Sequence, residues 1–130
     1  SPEDALYAVF DGHGESGAIV SQFVAESLRT SLAEILLDAA SSRASDDAIK
    51  KQIQQAFLDT DLSLTEALKE YCGLQFDGST GCAVLRRGKK LLIAYVGDSS
   101  CVVGTKRKAG RRLTEDHTPA QAKERFRIES

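Results

Sequence analysis

The amino-acid sequence predicts an α+β fold in which antiparallel strands pack against a pair of long helices. Three observations carry that prediction. Two amphipathic stretches follow one another between residues 16 and 71, each with apolar residues at helical spacing. From Ser79 onward the period changes to that of strands. Those strands are apolar at both parities, so the sheet is expected to be covered on both faces, by helices on one side and by a second sheet or further helices on the other. At 130 residues the chain suits one domain, taken as residues 1–130, and is too short for two well-cored ones.

The elements follow in order. Ala5 to Asp11 is a short apolar run stopped by Gly12-His13-Gly14, a strand entering a turn. A helix from about Ser16 to Leu37 places Val20, Val24, Leu28, Leu32 and Ile35 on one face. Ser41, Ser42 and Ser45 with Arg43 mark a loop. Ser45, Asp46 and Asp47 then offer an N-cap and first-turn acids to a second helix. Its stripe is Ile49, Ile53, Phe57, Thr60, Leu64, Leu68 and Tyr71. Thr80 to Leu85 and Leu91 to Val96 flank Arg86-Arg87-Gly88-Lys89-Lys90 as a hairpin. Cys101 to Thr105 is a third strand of this run, Arg112-Leu113-Thr114 a fourth, and Gln121 to Ile128 a helix after Pro119.

Composition narrows the function. Apolar residues make up 42% and charged residues 28%, which suits a packed core and not a disordered chain. No apolar run approaches the roughly 18 residues that cross a bilayer, and the start has no signal-peptide pattern. The three cysteines, Cys72, Cys82 and Cys101, are odd in number and without C-x-x-C, which argues against a disulfide framework or a structural zinc site. Together these features point to an intracellular protein, cytoplasmic or nuclear. The net charge of −2 excludes an evident nucleic-acid binder. Residues 1–77 carry −9, residues 78–112 carry +8 and the rest −1. The basic residues fall in two clusters, around Arg86–Lys90 and Lys106–Arg112, which read as solvated turns in preference to an anion-docking patch.

The chemistry gathers at glycine-rich turns. Gly12-His13-Gly14-Glu15-Ser16-Gly17 matches G-x-G-x-x-G, the dinucleotide fingerprint. A second long helix follows where that motif needs a strand, and Asp11 would set a carboxylate against a pyrophosphate. Asp11 suits a hard divalent cation instead, with a glycine carbonyl as a second oxygen ligand. His13 beside it can give a proton near neutral pH. A metal with a general acid is a set that hydrolyses phosphate esters. The competing reading has Asp11 capping the following helix and His13 idle in a loop. Asp98, in Val96-Gly97-Asp98-Ser99, is a second acid at a strand end, or else a turn aspartate bonded to its own backbone. Asp116-His117 reads as turn chemistry ahead of a helix.

Four segments in order resemble the metal-dependent serine/threonine protein phosphatases of the PP2C (PPM) family. They are Val9-Phe10-Asp11-Gly12-His13-Gly14, Asp77-Gly78-Ser79-Thr80-Gly81-Cys82-Ala83-Val84, Val96-Gly97-Asp98-Ser99 and Leu113-Thr114-Glu115-Asp116-His117-Thr118-Pro119, the last running on into Glu124–Ile128. The resemblance implies a PP2C-like α/β/β/α sandwich, truncated, with a binuclear Mg²⁺ or Mn²⁺ site at one end. By position it implies that Asp11 bridges both metals, that Gly12 lends its carbonyl, that His13 is the general acid and that Asp98 holds a weaker third metal. Metal-bridged hydroxide would then attack the phosphorus of phosphoserine or phosphothreonine in a phosphoprotein substrate. Asp116 falls in a structural motif.

Departures from the family pattern shape the expectation. The segment that carries a phosphate-binding arginine and an acidic metal-shell residue ahead of the first motif has no counterpart in these 130 residues. Nor have the later Asp-Gly and Asp-Asn segments that complete the binuclear site. Ser100 stands where the family commonly has arginine, and Glu15 where it often has glycine. Little or no activity is expected of this chain alone. The alternative function is a non-catalytic PP2C-like binding module within a larger signalling protein. Sheet edges left unpaired are expected to be covered by a homodimer or a partner.

Overall fold

The computed structural model describes residues 4–42, 44–69, 76–106 and 108–130. Arg43, Cys72, Arg107 and the Tyr71 end of the second helical stripe lie outside the described residues. Strand β1 spans Ala5–Val9 and β2 is Gly12–His13. Helices α1, Gly17–Ser41, and α2, Asp46–Lys69, follow. Then come β3 (Gly78–Ser79), β4 (Gly81–Arg87), β5 (Lys90–Val96), β6 (Val102–Thr105), β7 (Lys108–Arg112) and α3 (Ala122–Glu129).

The helices form because their apolar stripes have a sheet to close over. Val20, Val24, Leu28 and Leu32 of α1 are buried, as are Ile49, Ile53, Ala56 and Thr60 of α2. Each fully buried leucine contributes roughly 1.5–3 kcal/mol. Ser45 caps α2 as expected, its Oγ accepting the Ala48 N–H at 3.2 Å. The end of α1 is closed from further off. Arg87 donates to the carbonyl of Ala39 at 2.7 Å, an oxygen that the helix end leaves open, and to that of Ala44 in the following loop at 3.4 Å.

The main sheet is antiparallel, in the order β1-β4-β5. Its register puts Leu6, Leu85 and Leu92 in one row and Ala8, Ala83 and Ala94 in the next. Leu6, Leu85, Leu92, Ala83 and Ala94 of these rows pack with the helices, Ala8 stays exposed, and Leu85 is 0% exposed. The alternate rows are Tyr7-Val84-Ile93 and Val9-Cys82-Tyr95. Cover on this second face, expected from the apolar parity, is incomplete among the described residues: Tyr7 is 63% and Val9 64% exposed. Within the Val9-Cys82-Tyr95 row Cys82 is buried, and the ring of His117 stacks on Tyr95 with centroids 5.1 Å apart.

The basic clusters are strands more than turns. Arg86 and Arg87 belong to β4 and Lys90 to β5, which leaves Gly88-Lys89 as the turn. The expected strand at Arg112–Thr114 begins earlier, with Lys108 pairing Thr105 and Arg112 pairing Val102. Arg86 and Lys90 stand in water at the hairpin end of the sheet, whereas Arg87 turns back onto the carbonyls of Ala39 and Ala44. Among the described residues no helix is long and apolar enough to cross a membrane.

Candidate active site

The glycine-rich turn is a place of close backbone packing. A Cβ on Gly12 would lie 1.9 Å from the carbonyl oxygen of Gly17, so the two glycines let the strand end touch the first turn of α1. Gly14 has φ +88°, and a Cβ there would lie 1.9 Å from Oδ1 of Asp77. That oxygen is occupied: it accepts the Ser16 N–H at 2.9 Å and so closes the start of α1. The β2–β3 ladder pairs Gly12 with Ser79 and His13 with Gly78. His13 is exposed, and its imidazole lies so near Gly78 that a Cβ there would come within 2.6 Å of the ring.

Asp77 takes the capping role that Asp11 could have had. Asp11 is held by its backbone alone, its N–H donating to Thr80 Oγ1 at 3.0 Å and its carbonyl accepting the Thr80 N–H at 2.9 Å. Thr80, 9% exposed, also shares a 2.6 Å hydrogen bond between its hydroxyl and that of Ser99. A hydroxyl with one proton and two lone pairs can accept from Asp11 and still bond Ser99 in either direction. One buried threonine thus ties the Asp11 turn to the Asp98 turn.

The Asp98 turn is held from its other side as well. The His117 N–H donates to the Gly97 carbonyl at 3.0 Å. Asp116 accepts from Arg112, which fits the structural part expected of it. Asp98 is exposed and does not bond its own turn through its carboxylate. Among the described residues, neither the Asp11 nor the Asp98 carboxylate has a hydrogen-bond or ion-pair partner.

These donors suit a hard ion in kind. Mg²⁺ is held through one or two carboxylates together with water and phosphate oxygens, and Asp11, the Gly12 carbonyl and Asp98 are all oxygen donors. They do not make a closed cage: among the described residues no three His, Cys, Asp or Glu side chains cluster to hold an ion. The groove of about 630 Å³ between α2 and β5, lined by Ile53, Phe57, Leu92 and Tyr95 among others, contains none of the four candidate residues. Thr80 and Asp77 are the residues that sequence spacing missed. Their partners lie 69 and 61 positions away, and the only local signal was their place in the Asp77–Val84 motif.

A family model described as Protein phosphatase 2C matches residues 1–130. A protein of Oryza sativa subsp. japonica, named Probable protein phosphatase 2C 57, is 35% identical over 126 residues, covering 97% of this chain and 31% of that protein. Another from the same organism, named Probable protein phosphatase 2C member 13, mitochondrial, is 36% identical over 131 residues and is covered to 31% of its length. The chain therefore spans about three tenths of these relatives. The crystal structure of serine-threonine phosphatase 2C from Toxoplasma gondii superposes with a TM-score of 0.78, covering 98% of this chain and 44% of that one. At 20% identity it shows a shared fold.

Proposed function

The chain belongs to the protein phosphatase 2C family, and from that premise we propose that the protein hydrolyses phosphoserine or phosphothreonine in phosphoproteins with the help of Mg²⁺ or Mn²⁺. The observation that carries this is the pair of exposed, unpartnered carboxylates, Asp11 and Asp98, on turns joined through Thr80. Asp11 and the Gly12 carbonyl would hold ion at the centre of the site, and Asp98 would hold a further one. A bound divalent ion activates water and screens phosphate charge. His13 gives its proton to the serine or threonine oxygen as the phosphorus–oxygen bond breaks, so that an alcohol leaves instead of an alkoxide. Thr80 keeps the Asp11 backbone in register with the Asp98 turn during this step.

The incomplete donor set also bears on what the 130 residues do alone. With no closed cluster of ligands among the described residues, the chain by itself turns over little substrate, and the same fact supports a second reading as a non-catalytic binding module. Turnover of a phosphothreonine peptide with Mn²⁺ separates them. The first reading expects metal-dependent turnover by the intact protein, lost in Asp11→Ala. Absence of turnover in the intact protein, with retained binding of the peptide, would favour the second.

A further inference from the structure

Ser100 lies two residues past Asp98, and its short side chain cannot cross to the segment around His117. A guanidinium crosses to it instead. Arg112, the last residue of β7, donates to Ser100 Oγ and to Asp116 Oδ1. The register puts it there: Arg112 stands opposite Val102, and the next N–H, of Leu113, donates to the Cys101 carbonyl at 2.8 Å. One guanidinium nitrogen, Nη2, thereby joins the turn that carries Asp98 to the turn that carries His117. The backbone bond from His117 to Gly97, 3.0 Å long, runs alongside.

We infer that Arg112 is a positioning residue for Asp98, closing the outer side of the Gly97–Ser100 turn as Thr80 closes the inner side. The inference rests on the metal-site reading above. It also accounts for the serine at position 100, where the resembled family commonly has arginine: the guanidinium comes from position 112. Arg112 and Asp116 are 46% and 33% exposed, so the expected effect is the few-fold one of a partly solvated pair.

The test uses the intact protein with four variants: Arg112→Gln, Ser100→Arg, the two combined, and Asp98→Asn. Amide hydrogen exchange is measured without metal, and Mn²⁺ binding by calorimetry. Arg112→Gln is expected to speed exchange at residues 97–101 about threefold. It should also weaken, by a similar factor, the Mn²⁺ site that Asp98→Asn removes. Exchange at residues 11–14 and the melting temperature should stay as in the wild type, and Ser100→Arg should restore both losses in the combined variant. Unchanged exchange at 97–101 would overturn the inference and leave the metal reading standing. A general loss of stability that Ser100→Arg does not restore would overturn it too, as a purely structural role. Mn²⁺ binding unaltered by Asp98→Asn would overturn the metal reading, and the inference with it.

Discussion

On the helix side of the three-stranded sheet, Leu6, Leu85 and Leu92 form one row across the strands, closed over by α1 and α2. On the other side Tyr7, Val84 and Ile93 form the neighbouring row, and Tyr7 stands in solvent. The residue types are alike. The surroundings are not. Apolar character on a strand therefore reports what a face is built to meet, and stability comes only where something meets it. The two site-bearing turns sit at the Val9-Cys82-Tyr95 end of the sheet, tied by Thr80 and flanked by His117 stacked on Tyr95.

Truncation on the two faces should give the widest contrast. Leu85→Ala is expected to cost about 2–5 kcal/mol, because a fully closed site cannot collapse around the missing atoms. Val9→Thr on the open face is expected to stay within about 0.5 kcal/mol. Urea denaturation of each variant reads the difference, and equal losses would break the comparison by showing that the open face is covered. Gly14→Ala probes the site end and should cost about 1–3 kcal/mol, since φ is +88° and the Asp77 carboxylate fills the space. Asp77→Ala, which removes the hydrogen bond to Ser16, should cost about 1 kcal/mol.

The smallest effect is electrostatic. Lys90, by its hydrogen bond first and its charge next, and Arg87 by its charge, hold the Asp46 carboxyl below its ordinary value of 3.8. A carboxyl lowered in the folded state stabilises it above the unfolded value, and that contribution fades as pH falls through the folded one. Lys90→Ala should therefore lower stability slightly at neutral pH and soften its loss below about pH 4, variant and wild type converging in acid. A variant weakened most in acid, or with a steeper acid slope, would contradict this sign.

Much of the fold was legible because it is written locally. The stripe Val20-Val24-Leu28-Leu32 and the Ser45 cap are spacing rules, and the structure honours both. Ala56 joins the buried face of α2 in a place where a small residue carries little periodic signal. The strands around the basic residues were harder, since Arg86, Lys90 and Arg112 look like turn residues until the strand pairing that includes them is seen. At the site, Asp11, Gly12, His13 and Asp98 stood out by type. What holds them did not: Thr80, Asp77 and Arg112 act on partners brought near by the fold, and local spacing has no term for that.

The central claim is that the Asp11–His13 turn carries phosphoester chemistry, with His13 as the proton donor. It is tested most directly by comparing the intact protein with its His13→Gln variant, with Mn²⁺, on two substrates. A phosphothreonine peptide has a poor leaving group that needs a proton, whereas p-nitrophenyl phosphate does not. The account expects the variant to lose about 100-fold or more on the peptide and little on p-nitrophenyl phosphate. Equal losses on both substrates, or none on the peptide, would contradict it.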